Sequence, residues 1–216
     1  MEWLTLIDIE GVNRSIGDEM IVLDKVKTLS MKRLGPDVSL IEHFTFPRLR
    51  TVDIESSAIA LTHLGPFIQR SSRSITSLRL DSIPNLSDSH FIHLLRLMPE
   101  LTKLDVREDT ANTVITHRFL DLLTVKPYDV HSPFLPRLVD LKLNIHAMYV
   151  EVQALSNALT SRWLPIPSVA SAVGTDCLKS VDITLCWDQG GVRNPTVLSS
   201  LQCLKSAGMQ LTITHA

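Results

Sequence analysis

Seven times along 216 residues the sequence places apolar side chains in the spacing L-x-x-L-x-L, with Ile, Val or Met standing in for Leu. The triplets are Leu4/Ile7/Ile9, Val26/Leu29/Met31, Leu49/Val52/Ile54, Ile75/Leu78/Leu80, Leu101/Leu104/Val106, Leu138/Leu141/Leu143 and Leu178/Val181/Ile183. Their first members lie 22, 23, 26, 26, 37 and 40 residues apart. A period of about 20 to 29 residues is that of a stacked repeat in which each unit buries its apolar face against its neighbours. The two wider spacings require insertions, and two segments rich in Pro, Ser and Ala, 126–136 and 164–176, are read as long exposed loops.

Within each triplet the last two apolar residues alternate with polar ones, as in Thr51-Val52-Asp53-Ile54-Glu55, the period of a half-buried strand. Helical stripes follow at Ala58 to Arg70, Ser87 to Met98, Thr116 to Val125, Met148 to Trp163 and Thr196 to Ala207. Ser87 or Asp88 suits an N-cap, Pro195 suits a helix start, and Pro66 predicts a kink or a break in the first helix. A last alternating segment, Met209/Leu211/Ile213, predicts a terminal strand, for seven or eight in all. Strand followed by helix, many times over, requires parallel strands joined by crossovers. The expected fold is an α/β solenoid, a curved horseshoe with strands on the concave side and helices on the convex side. A doubly wound sheet is the rival, but it does not call for apolar triplets at recurring positions.

The phrases FPRLRTVDI (46–54), MPELTKLDV (98–106) and LPRLVDLKL (135–143), with SRW at 161–163, resemble intracellular leucine-rich repeats, and the long irregular units resemble those of fungal F-box/leucine-rich-repeat proteins. That resemblance covers the whole chain, 1–216, as one domain of about seven irregular repeats. It implies a protein-interaction module, the substrate-recognition repeats of a ubiquitin ligase receptor, whose F-box would dock onto the adaptor of a cullin-RING ligase. Residues 1–25 enter a repeat strand at once and hold no Leu-Pro-x-Glu-Leu segment, so the F-box itself is expected to be missing and the array to be a fragment or a degenerate paralogue. At the consensus position where Asn or Cys ties neighbouring loops, the chain has Val12, Leu34, Ser57, Ile83, Asp109, His146 and Cys186, which predicts a looser ladder.

Composition narrows the partner. Thirty-three leucines and only 5% aromatic residues make an aliphatic core. A formal charge of -2 lacks the cationic excess that nucleic acid requires. No stretch reaches the roughly 18 apolar residues of a membrane span, and acids at Glu2, Asp8 and Glu10 stand where a secretory signal would be basic. Three cysteines, Cys177, Cys186 and Cys203, with none before them, imply no disulfide framework and a reducing, intracellular setting, cytoplasmic or nuclear.

If the triplets face inward, the intervening residues form three columns on the other face. The central one is Asp8, Ser30, Asp53, Arg79, Asp105, Lys142 and Asp182; the outer is Glu10, Lys32, Glu55, Asp81, Arg107, Asn144 and Thr184; the inner is Leu6, Thr28, Thr51, Ser77, Lys103, Asp140 and Ser180. The alternating signs predict a ladder of cross-strand ion pairs and, together with it, a partner-binding surface. The candidate binding residues are Asp53, Glu55, Arg79, Asp81, Lys103, Asp105, Arg107, Asp140, Lys142 and Asp182. No HExxH, CxxC, G-x-S-x-G, GxGxxG or Walker spacing occurs, so neither catalysis nor a cofactor or metal is expected. His90 and His93 are read as surface or part-buried histidines, Cys177 and Cys186 as buried thiols, and Trp163 and Trp187 as core plugs. Gly190 and Gly191 are read as loop, and Met148 and Tyr149 as facing the sheet. A freestanding scaffold or inhibitor without a ligase link is the nearest alternative, and a small enzyme the more distant one.

Overall fold

The computed structural model describes residues 2–9, 20–35, 39–56, 61–71, 74–84, 86–108, 113–126, 133–146, 151–186 and 196–215. Expectations placed on Glu10, Val12, Ser57, Asp109, Met148, Tyr149, Trp187, Gly190, Gly191 and Pro195 lie outside the described residues, as does most of the first inserted loop.

The chain runs β1 (Trp3–Ile7), β2 (Ile21–Val22), β3 (Thr28–Lys32), a 3-10 turn (Ser39–His43), β4 (Phe44–Thr45), β5 (Thr51–Glu55), α1 (Leu61–Ser71), β6 (Ser77–Asp81) and α2 (Asp88–Arg96). It continues through β7 (Lys103–Arg107), α3 (His117–Leu123), β8 (Asp140–His146), α4 (Val152–Arg162), α5 (Pro167–Ala172), β9 (Ser180–Cys186), α6 (Thr196–Ser206) and β10 (Gln210–His215). Eight strands form one parallel sheet in the order β1-β3-β5-β6-β7-β8-β9-β10, while β2 and β4 make a separate parallel pair. Each strand of the large sheet thus lies beside the next one in sequence, and among the described strands the order never reverses as it would at the switch point of a doubly wound sheet.

Alternation decides which face is buried. In β3, β5 and β6 every second residue is buried and its neighbours are half-exposed. The inward residues Leu29/Met31, Val52/Ile54, Leu78/Leu80, Leu104/Val106, Leu141/Leu143 and Val181/Ile183 stand in register across the sheet. They join a single core with Phe67, Ile68, Phe91, Leu95, Phe119 and Leu155 from the helices, which touch one another in series from α1 to α4 and then α6. All six phenylalanines of the chain lie in two ring clusters: Phe44, Phe46 and Phe67, then Phe91, Phe119 and Phe134. Truncating one such fully buried leucine would cost about 2–5 kcal/mol.

The phrases that head the triplets act as turns. Leu49 N–H donates to Phe46 O at 3.0 Å, Leu101 to Met98 at 3.1 Å and Leu138 to Leu135 at 3.2 Å, each across a proline at the second position, whose fixed φ suits that place. One carbonyl then receives two successive amides of the next strand: Lys27 O from Arg50 and Thr51, Arg50 O from Thr76 and Ser77, Thr76 O from Thr102 and Lys103. At the other end the residue after the strand is left-handed at Asp8, Arg33, Ser56 and Ser82, with φ of 52°, 51°, 44° and 52°. Their amides bond the last carbonyl of the neighbouring strand, at 3.1, 2.9, 2.8 and 2.9 Å. A non-glycine residue there costs of order 1 kcal/mol, so the repeated conformation reflects a turn that the stacked units impose.

Four expectations change. The first unit slips by three residues: Leu4 and Leu6, not Ile7 and Ile9, face Leu29 and Met31, because the strand ends at Ile7 and the left-handed Asp8 follows. The central column therefore begins at Thr5, and Leu6 points inward. Helix α1 runs through Pro66 without a break. Part of 164–176 is helix α5, opened by Pro167 and closed by Gly174 at φ 65°, whose amide bonds Ser171 O while Thr175 N–H bonds Ala170 O. Cys177 and Cys186 are half-buried, not buried.

Candidate functional site

The half-exposed face of the sheet carries the columns in the predicted register from β3 to β9. Ser30, Asp53, Arg79, Asp105, Lys142 and Asp182 follow one another through the centre, and Lys32, Glu55, Asp81, Arg107, Asn144 and Thr184 along the outer side. Thr28, Thr51, Ser77, Lys103, Asp140 and Ser180 make the inner column. Strand spacing of about 4.8 Å brings successive members within ion-pairing reach.

All ten candidate residues lie on this face and each takes part in an ion pair. Arg79 is the hub: its Nη2 donates to Asp81 Oδ2 at 3.1 Å, while its Nε lies 3.9 Å from Asp53 and 3.8 Å from Asp105. Those two separations are Coulombic contacts and not hydrogen bonds. Arg107 reaches Asp81 at 3.4 Å, Lys142 reaches Asp182 at 3.0 Å, Lys103 reaches Asp140 at 3.6 Å, and Lys32 bonds Glu55 at 2.7 Å. Ser30 Oγ donates to Asp53 at 3.3 Å.

The pairing shifts the titration of its members. Burial pulls the Arg79 guanidinium down, but the Asp81 hydrogen bond and the charges of Asp53 and Asp105 outweigh it and hold the group above its ordinary value. Asp105 goes the other way: burial raises its carboxyl in spite of Arg107, Arg79 and Lys142. Lys32, by hydrogen bond and charge, lowers Glu55. Asp53 Oδ1, Arg79 Nε and Asp105 Oδ1 are buried without a hydrogen-bond partner, so the centre of the face holds desolvated polar atoms. Five cations and six carboxylates stand here from Lys32 to Asp182, so the face is close to neutral.

Two polar residues that periodicity does not reveal hold the frame of this face. Glu108, just after β7, accepts from the amides of Val114 and Ile115 at 2.8 Å each and from His146 at 3.4 Å, tying the loop toward α3 to the end of β8. Burial raises its carboxyl against the pull of those three amides. It does the loop-tying that the consensus assigns to an Asn or Cys one residue later. Arg162, in the SRW phrase, is fully buried; its Nε donates to Leu123 O at 2.6 Å, Nη1 to Leu135 O at 2.8 Å and Nη2 to Phe134 O. Burial pulls its guanidinium down to about 10. It pins α3, the turn before β8 and α4 together where the repeat spacing widens. At Cys186 the thiol donates to the Asn144 side chain at 2.9 Å and does not reach a loop backbone.

The other singled-out residues are structural. His90 and His93 are exposed on α2, His90 next to the capping Ser87, and no group of His, Cys, Asp or Glu among the described residues could hold a metal ion. Trp163 is half-buried against the core, beside Gly208. A cleft of about 790 Å³ behind the sheet is bordered by Asp121, Lys126 and Arg162. Asp121 and Lys126 pair with each other at 2.9 Å in solvent, and Arg162 is spent on three carbonyls, so no buried acid meets a buried base there. No helix among the described residues is long and apolar enough to cross a membrane. Compared with known protein families and with curated proteins, the chain matches none.

Proposed function

We propose that the chain is a leucine-rich-repeat solenoid that binds a protein partner on the polar face of its sheet, with Arg79 at the centre of the contact. The observation that carries this reading is the register: six consecutive strands place polar and charged residues in three straight columns, while every intervening aliphatic residue is buried under the helices. A surface so ordered and so wide suits a folded or extended polypeptide better than a small apolar ligand, since it offers no aromatic anchor between β3 and β9. Arg79, Lys103, Arg107 and Lys142 would address acidic groups of the partner, and Asp53, Glu55, Asp105 and Asp182 basic ones. As in the F-box family that the repeats resemble, the partner would be a substrate presented to a cullin-RING ubiquitin ligase.

The test is affinity capture by the tagged chain, run in parallel with Arg79→Glu. A partner retained by the parent and lost from the variant supports recognition through the sheet face, and ubiquitination of that partner by a cullin-RING ligase supports the ligase link. Identical capture by both would remove the face from the recognition surface.

A further inference from the structure

We propose a second interaction surface, at the strand-entry edge of β3 and β5, which takes an acidic segment of a protein partner. It goes beyond the reading of the sheet face and does not depend on it. Residues 21–32 and 44–55 keep one constant offset of 23: Ile21 pairs with Phe44, Val22 with Thr45, and Thr28 to Lys32 with Thr51 to Glu55. The turns between these strands are therefore stacked, each closed by its own bond, Val26 N–H to Leu23 O at 3.4 Å and Leu49 N–H to Phe46 O at 3.0 Å. Equal offset sets Lys25 beside Arg48 and Lys27 beside Arg50, the latter two joined by Arg50 N–H to Lys27 O at 2.8 Å. The result is a two-by-two array of cations on one edge, all four exposed.

What distinguishes this array is that three of its four charges are unspent. Lys27 pairs with Glu2 at 2.7 Å, but Lys25, Arg48 and Arg50 have no side-chain partner among the described residues, in a chain whose formal charge is -2. On the sheet face every candidate charge is already matched. Cations with no partner among the described residues need no bond broken before they meet a carboxylate, so the edge attracts acidic groups at lower cost than the face does. Beside the array Met20, Ile21 and Val22 are 43, 42 and 59% exposed, an apolar shoulder against which a partner's aliphatic side chain can lie.

An acidic peptide fits better than the other polyanions. Glu2 and Asp24 sit within the patch and would repel a continuous field of phosphates, whereas a polypeptide can place its carboxylates between them. Four cations are also fewer than the roughly six to ten phosphate contacts that give duplex binding its strength.

The test is fluorescence anisotropy of a labelled oligoglutamate peptide with one central leucine, titrated with the protein at low and at high salt. Saturable binding that weakens with salt is expected, with a loss of roughly tenfold in the Lys25→Ala/Arg48→Ala/Arg50→Ala variant. The Arg48→Ala/Arg50→Ala variant, whose replaced side chains bond nothing among the described residues, gives a smaller loss in the same direction, and circular dichroism checks that both variants stay folded. Lys205→Ala, an exposed cation of α6, serves as the control and leaves binding unchanged. Absence of saturable binding, or equal binding by the triple variant, would overturn the proposal. So would tighter binding to phosphatidylserine vesicles or to duplex DNA than to the peptide.

Discussion

The sheet face and the strand-entry edge carry similar residues and treat them in opposite ways. On the face, Arg79 sits among Asp53, Asp81 and Asp105, partly withdrawn from water and committed to its neighbours. On the edge, Arg48 and Arg50 are exposed, with no side-chain partner among the described residues. The cause lies in position along the unit. A side chain within a strand has a counterpart about 4.8 Å away on each flank, so opposite signs in register neutralise each other. A side chain in the turn before the strand projects away from the sheet, and like charges at equivalent places in stacked turns accumulate. The difference teaches that a repeat supplies counterions to charges held in register within its strands and fewer to charges in the turns that precede them.

Replacing cations in each setting should give graded effects, and Arg162 marks the upper limit. Arg162→Met would strand three buried carbonyls and should lower stability by about 3 kcal/mol or more, read as a shift of the urea midpoint. Arg79→Met leaves three carboxylates facing one another around a desolvated centre and should cost roughly 2 kcal/mol. Arg48→Met, the matching change on the edge, should stay within about 0.5 kcal/mol of the parent. Equal losses for Arg79→Met and Arg48→Met would erase the distinction between the two regions.

A subtler test uses acidity. Burial holds the Asp105 carboxyl above its ordinary value of 3.8, so the native chain keeps that proton to higher pH than the unfolded chain does. Its contribution to stability is then complete below the ordinary value and is lost as the pH rises through the folded one. Asp105→Asn should flatten that part of the decline as the pH rises above the ordinary value of 3.8, a small change visible in urea midpoints measured across the range. An unaltered slope would mean that the centre of the face is more solvated than its geometry implies.

Much of the sheet was legible because aliphatic alternation leaves little choice of register. Leu78 and Leu80 can be buried together only if Ser77, Arg79 and Asp81 point the other way, and the same holds from β3 to β9. Where two frames bury equally well, the sequence is ambiguous: Leu4, Leu6, Ile7 and Ile9 offer both, and the left-handed turn at Asp8 decides between them. The pair β2 and β4 is two residues long on each side, too short for any period to show. Helix α5 was hidden by its Pro, Ser and Ala content, since it buries none of its residues. Glu108 and Arg162 leave no mark in the sequence for another reason: their bonds are to backbone atoms, which every residue has and no pattern marks. Column membership of the ten candidate residues followed from alternation alone, whereas their specific pairings required coordinates, because long side chains on one face have several carboxylates within reach.

The most direct test of the account is a double-mutant cycle in chemical denaturation between Arg79 and Asp81, the closest pair at the hub of the face. A coupling on the order of 1 kcal/mol, in the stabilising direction, is the expected result for two charges that the sheet holds together. Additive losses, with no coupling, would contradict it by showing that these groups answer to solvent and not to each other.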